Sequence, residues 1–271
     1  MGLFDFLKKK EKENASTVST ATSTFNSGSV TTDINNASSQ PMKIDMSKHQ
    51  ENLEKVVINM SKNSKVDMTK HTARVAVAMD YSGSMDHLYM NGSVQNTITR
   101  LLPLGLKFDD NGEVESWLFS NGQEHLDSIT IHNYSNYVKK VMKNASMRMG
   151  GTNYAPVLKD IKNYYEEKHP STIPTFVIFI TDGENRDTSE TDQIIRELSN
   201  YNIFIQFIGI GNESFNYLRK LDNLSGRKKD NTGFIAVKDM DEMDDNELYT
   251  ELLSQYNDWL ISKIVCKLIK N

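Results

Sequence analysis

Val75-Ala76-Val77-Ala78-Met79-Asp80-Tyr81-Ser82-Gly83-Ser84 decides the fold. An unbroken apolar run leads into a carboxylate, and the composition then turns to hydroxyls and glycine. A run of this length reads as a strand buried on both faces of a mostly parallel sheet. A second such run, Phe176-Val177-Ile178-Phe179-Ile180, ends two positions before Asp182. Both carboxylates therefore leave the same end of one sheet. In open α/β folds, ligands bind in the crevice beyond the carboxyl ends of the strands. Gly83, Gly150-Gly151 and Gly183 are expected to supply the tight backbone turns that such a crevice needs.

Five oxygen-bearing side chains are candidates for that crevice: Asp80, Ser82, Ser84, Thr152 and Asp182. With no Cys or His among them, the set suits a hard cation, Mg²⁺ or Mn²⁺, and not zinc. Two carboxylates cancel the charge of a divalent ion, and three neutral hydroxyls coordinate it directly or through water. Magnesium takes roughly six oxygens in an octahedron. Such a site keeps a place for water or for an outside ligand, and a carboxylate from a partner protein fits it.

Asp80-x-Ser82-x-Ser84, Thr152 and Asp182-Gly183 resemble, with no position missing, the metal-ion-dependent adhesion site of von Willebrand factor A (VWA) domains. The resemblance runs from about His71 to about Asn271. Three further stretches look most like the bacterial TerF-like branch linked to tellurium resistance and stress operons. These are Met90-Asn91-Gly92-Ser93-Val94-Gln95, Thr97 to Phe108 with Leu101-Leu102-Pro103-Leu104, and Trp117-Leu118-Phe119-Ser120. The resemblance implies a MIDAS-type metal site and a role in protein binding.

A chain of 271 residues accommodates one α/β domain of about 200 residues with a full core, plus a tail. Its net charge of −5 makes no electrostatic case for nucleic acid. The single cysteine, Cys266, cannot form an internal disulfide and reads as a small buried hydrophobe in the last helix. Absence of a disulfide framework is compatible with a reducing cytoplasm. Met1-Gly2-Leu3-Phe4-Asp5-Phe6-Leu7-Lys8-Lys9-Lys10 has the wrong order for a secretory signal. Residues 1–13 instead read as a short amphipathic segment that could touch a membrane surface or dock on a partner. Residues 14–45, rich in Ser, Thr and Asn, bury too little to offset ordering entropy and read as a disordered linker. The domain is expected over 46–271, beginning with a helix from Ser47 to about Ser61, with Ser47 as N-cap and Gln50 three residues on.

Beyond the first strand, the pattern predicts a helix ending near Phe108 and a hairpin of Glu113–Ser120 with Glu124–Ile131 about Asn121-Gly122. Helices follow at 134–144 and 154–168, the second led by Thr152 and carrying Pro156 in its first turn. A helix over 190–200, a strand over 203–208, a helix from about Ser214 to Leu224 and a strand over 234–237 come next. The last helix runs from about Asn246 to Ile269, with Leu252, Tyr256, Trp259, Leu260, Ile264 and Leu268 on one core-facing stripe. The expected architecture is α/β and doubly wound. Its central sheet is mostly parallel with one antiparallel edge strand, and helices cover both faces.

Competing motifs fail. Gly209-Ile210-Gly211 lacks the third glycine of a dinucleotide loop, because Ser214 stands there. The acidic run from Asp239 to Glu247 reads as a solvated turn feeding a helix N-terminus, and Arg227-Lys228-Lys229 as a solvated cluster. The six histidines show no paired spacing and read as surface or loop residues. Asp86 and His87 stand close enough to the DxSxS loop to modulate the site. Two function classes compete: a metal-dependent interaction module without catalysis, and a metal-dependent phosphoesterase with Asp80 as nucleophile. Phosphatases of the second kind usually carry an Asp two positions later, where this chain has Ser82. A third reading, five oxygens merely hydrogen-bonded to one another, leaves two carboxylates facing without a cation, which is repulsive.

Overall fold

Alternate residues of the first strand feed two separate cores. The protein is described here by a computed structural model covering residues 40–183 and 185–269, with side chains over 46–183 and 185–263. Strand β1, Arg74–Asp80, is buried along its whole length. Successive side chains of a strand point to opposite faces. Val75, Val77 and Met79 therefore join one apolar cluster, and Ala76 and Ala78 the other.

β1 pairs in parallel with β2 (Val114–Phe119) on one side and with β4 (Thr175–Thr181) on the other. β5 (Ile203–Ile210) and β6 (Thr232–Val237) continue outward in parallel. At the opposite edge β3 (Gln123–Ile129) runs antiparallel to β2, as the Asn121-Gly122 hairpin requires. The order is β3-β2-β1-β4-β5-β6, so the chain builds outward from β1 first to one side and then to the other. Order reverses between β1 and β4, where two successive connections leave in opposite directions and open a crevice.

Helices cover both faces, as expected. Against the first core lie α1 (Gln40–Asn63), α2 (Asp86–Asn91), α3 (Ser93–Phe108), the short α4 (Tyr137–Lys140) and α8 (Asp245–Ile269). They contribute Leu53, Tyr89, Leu101, Val138 and Leu252 among others. Against the second core lie α5 (Ala155–Lys162), α6 (Thr188–Leu198) and α7 (Asn216–Asp222), with Leu158, Ile195 and Leu218. The α8 stripe packs as expected, since Leu252, Tyr256, Trp259 and Leu260 are all buried.

Several local expectations need correction. α1 begins at Gln40, so residues 40–45, expected in the linker, are helical, and Ser47 is helix interior rather than an N-cap. The helix packs against α3 and α8. The helix expected over 134–144 is broken into a 3₁₀ turn, α4 and a second 3₁₀ turn, because Asn136 leaves helical space with φ −139° and ψ 25°. α2 was not foreseen; it ends at Gly92, whose φ of 95° only glycine adopts freely. Three histidines pack into the fold. His49 sits on Asp245, His71 on Tyr256 at 2.9 Å, and His125 stacks on Trp117 with ring centroids 4.1 Å apart. Arg227 is buried against the carbonyls of Leu224 and Asp222 rather than solvated. The amphipathic segment 1–13, linker residues 14–39, and the side chains of Cys266, Ile264 and Leu268 lie outside what the structure describes.

Within the acidic run, Asp245 is buried rather than solvated, and it ties three helices together. Its Oδ1 accepts from Arg100 Nε at 2.8 Å. Its Oδ2 lies 2.5 Å from His49 Nδ1 and accepts from Asn52 Nδ2 at 3.1 Å. Arg100 also donates to the Met240 and Met243 carbonyls, which closes the turn before α8. Burial pushes the Asp245 carboxyl up. Hydrogen bonds from His49 and Asn52, and the charges of His49 and Arg100, outweigh burial and hold it well below the usual carboxylate range. Arg100→Ala takes the guanidinium from a buried carboxylate and leaves the Met240 and Met243 carbonyls without their donor, so urea melts should show a loss of about 3–5 kcal/mol. A depressed carboxylate contributes stability in full above its unfolded value of about 3.9 and loses it as pH falls below that. The gap between wild type and Asp245→Asn should therefore close as pH falls below about 4.

Candidate metal centre

Asp80 closes β1 with no exposed surface. Ser82 N–H folds back to donate to its Oδ1 at 2.8 Å, an Asx turn that places the following hydroxyls beside the carboxylate. Its Oδ2 accepts from Thr181 Oγ1 at 2.6 Å, so the end of β4 grips the end of β1. Tyr89 of α2 donates to the Asp80 carbonyl at 2.8 Å and fixes the backbone from the other core. From Ser82 the polar chain continues: Ser82 Oγ lies 3.1 Å from Ser84 Oγ, and Ser84 Oγ donates to Asp182 Oδ1 at 2.9 Å. Asp80, Ser82, Ser84 and Asp182 are thus gathered at one point, at the order reversal of the sheet.

Thr152 reaches the same end of the sheet through its backbone. Gly150, two residues before it, bridges to Ser82 and accepts from Gly83 N–H at 3.1 Å. Thr152 O accepts from Arg186 N–H at 2.9 Å, and Asn153 N–H donates to Ser120 O at 2.8 Å. The Thr152 side chain is buried and forms no hydrogen bond with the other four among the described residues. Its loop is clamped between the end of β2 and the segment after β4.

None of the four glycines expected at tight turns has a positive φ; those that do among the described residues are Gly92, Gly112, Gly211 and Gly226. Close approach explains two of them. A Cβ on Gly150 would sit 2.7 Å from Asn121 Nδ2. One on Gly151 would sit 2.7 Å from Asn121 Oδ1 and 3.0 Å from Arg186 Cζ. Asn121 Oδ1 in turn accepts from Gly151 N–H at 3.0 Å.

Burial pushes the Asp80 carboxyl up to about 6; hydrogen bonds from Thr181 and Ser82 pull it back, and the Asp182 charge raises it further. Burial also raises Asp182, against its hydrogen bond from Ser84. Two carboxylates that each resist ionisation, with hydroxyls turned onto them, form a set that a cation would relieve. Among the described residues, no three His, Cys, Asp or Glu side chains cluster as metal ligands. Any ion held here must therefore use the hydroxyls, and an all-oxygen set of the Asp80 and Asp182 carboxylates with the Ser82 and Ser84 hydroxyls fits a hard divalent cation. His87 Nδ1 lies 2.8 Å from the Ser84 carbonyl, so it supports the loop, while Asp86 begins α2.

Residue patterns did not point to Thr181, Tyr89, Asn121, Tyr154 or Asp187. Thr181, a hydroxyl closing an apolar run just before Asp182, carried a local signal. Asp187 carried none. Its two oxygens accept from Tyr154 and Ala155 N–H at 3.0 and 2.8 Å, capping α5 from 32 residues away. Tyr154 OH meanwhile donates to the Gly183 carbonyl at 2.5 Å, fixing the turn after Asp182.

A family model described as the vWA found in the TerF C terminus matches residues 72–265. The chain belongs to this vWA-TerF-like family. The chain is also 39% identical over 198 residues to an uncharacterized protein, YcbR, from Bacillus subtilis (strain 168), covering 72% of this chain and 81% of YcbR. Solved structures share the VWA fold at lower identity. An aerotolerance-related membrane protein from Bacteroides fragilis NCTC 9343, with multiple mutations to serines, is 16% identical with a TM-score of 0.50, covering 69% of this chain and 99% of that one. Manganese-loaded TRAP protein from Plasmodium vivax is 15% identical with a TM-score of 0.50, covering 69% and 74%. Some structural relatives are longer, and this chain spans less than half, 46%, of the first of them. Among the described residues no helix is long and apolar enough to cross a membrane.

The glycine contacts of this vWA-TerF-like site are testable. Gly150→Ala should destabilise the protein by about 1–3 kcal/mol through overpacking. In an Asn121→Ala background the loss should largely vanish. Urea melts arranged as a double-mutant cycle measure the coupling.

Proposed function

We propose that the domain is a metal-dependent protein-interaction module. Asp80, Ser82, Ser84, Thr152 and Asp182 would hold Mg²⁺ or Mn²⁺, and an acidic side chain of a partner protein would complete the coordination. The observation that carries this reading is the continuous polar chain Ser82–Ser84–Asp182 at the switch point, beside a fully buried Asp80. A manganese-loaded protein among the structural relatives agrees with a divalent ion. Membership of the vWA-TerF-like family supports a setting in bacterial stress response or tellurium resistance, and the absence of a disulfide framework supports a cytoplasmic one.

Binding is preferred to catalysis. Phosphatases with a nucleophilic Asp usually carry a second Asp two positions later, and this chain has Ser82 there, whose N–H is turned back onto Asp80 Oδ1. Turnover of p-nitrophenyl phosphate that disappears in Asp80→Asn would restore the phosphoesterase alternative.

The metal is tested by thermal melts of chelator-treated protein titrated with MgCl₂ and MnCl₂. An ion at a hundredfold excess over its Kd should stabilise the fold by about 2.7 kcal/mol. Asp182→Ala should erase that response while leaving the circular dichroism spectrum intact. A response of equal size in the variant would remove the site assignment.

A further inference from the structure

The chain has seven arginines. Five of them have side-chain partners: Arg74 with the Tyr165 and His169 carbonyls, Arg100 with Asp245, Arg196 with Asp192 and the Ser225 carbonyl, Arg219 with the Ser214 carbonyl, and Arg227 with Asp230. The side chains of the other two, Arg148 and Arg186, form no hydrogen bond or ion pair among the described residues, and both are exposed. These two belong to the same place. Arg148 stands two residues before Gly150, the residue that pairs with Ser82. Arg186 donates its backbone N–H to the Thr152 carbonyl, and its guanidinium lies so close over Gly151 that a Cβ there would be 3.0 Å from Cζ and 3.1 Å from Nη1. The two arginines, neither with a side-chain partner among the described residues, therefore flank the Gly150–Thr152 loop, Arg186 with its guanidinium over Gly151 and Arg148 by its place in the chain, and the net charge of that chain is −5.

A guanidinium left unpaired in an acidic protein, beside a site that takes a carboxylate, is placed for a second carboxylate, which it binds through two parallel hydrogen bonds. We propose that Arg148 and Arg186 are specificity-determining residues of the metal centre, and that the partner is an acidic protein segment carrying at least one carboxylate beyond the one at the metal. Resting on the metal-bridged reading above, the inference narrows the partner from any exposed acid to a cluster of acids. An acidic peptide is favoured over a nucleic acid because a long polyanion would extend past the two arginines onto a surface of net negative charge.

The test uses the full chain loaded with Mn²⁺ and two fluorescent, end-capped hexapeptides. One carries three glutamates, and in the other two of these are glutamine. Anisotropy at low salt should show wild type preferring the three-glutamate peptide by about tenfold, with the preference shrinking as NaCl is raised to 0.3 M. The Arg148→Gln, Arg186→Gln double variant should take up Mn²⁺ with wild-type affinity and bind both peptides alike. Arg148→Lys with Arg186→Lys, which keeps charge and loses the planar fork, should fall between the two. An equal preference in wild type and the Gln double variant would overturn the arginine role while leaving the metal centre standing. Failure of wild type to take up Mn²⁺ would overturn the metal reading and this inference with it.

Discussion

Asp80 is a carboxylate with no exposed surface at the end of a central strand, and its surroundings answer the cost of burying that charge. Thr181 and the Ser82 backbone each give it a hydrogen bond, while Tyr89 holds its carbonyl in place. Even so, burial keeps the carboxyl up at about 6, and the neighbouring Asp182 adds to the strain. A group held this way is poised for a positive charge, and the hydroxyls of Ser82 and Ser84 lie between the two carboxylates where such a charge would sit.

Placement of that point follows from sheet topology. Because β1 pairs with β2 on one side and β4 on the other, loops from three parts of the chain meet at its carboxyl end. The Gly150–Thr152 loop is drawn in by backbone bonds to Ser82–Gly83, to Ser120 and to Arg186, and by Asn121, which fills the room two glycines leave. Asp187 then starts α5 by capping it from across the crevice. A second buried carboxylate, Asp245, performs a structural task. It is fully paired with Arg100, His49 and Asn52, and it joins α1 to α3 and α8. Two buried carboxylates in one fold thus differ in whether the protein itself completes their pairing.

Strand runs, the hairpin at Asn121-Gly122 and the stripe on α8 were legible because each is a local pattern with a period that only one element type fits. All five candidate ligands could be named from spacing and chemistry alone. Less legible were features set by partners distant in the chain. α1 starts at Gln40, seven residues before the Ser47 that its capping pattern singles out. His71 and His125 look like surface residues until Tyr256 and Trp117 are brought beside them. Gly150 and Gly151 look like turn glycines, yet their φ values are ordinary and their need is for space.

By itself the sequence determined the alternation of strands and helices, the burial of β1 and β4 on both faces, and the oxygen-only chemistry of Asp80, Ser82, Ser84, Thr152 and Asp182. These are properties of side-chain pattern, which acts over a few residues. Only the tertiary structure decided that Thr181 grips Asp80, that Asp187 caps a helix far from it in sequence, and that Arg148 and Arg186, beside the Thr152 loop, have no side-chain partner among the described residues. Such relations arise when the sheet order brings separate loops within hydrogen-bond reach, and no local pattern encodes which residues will then face one another.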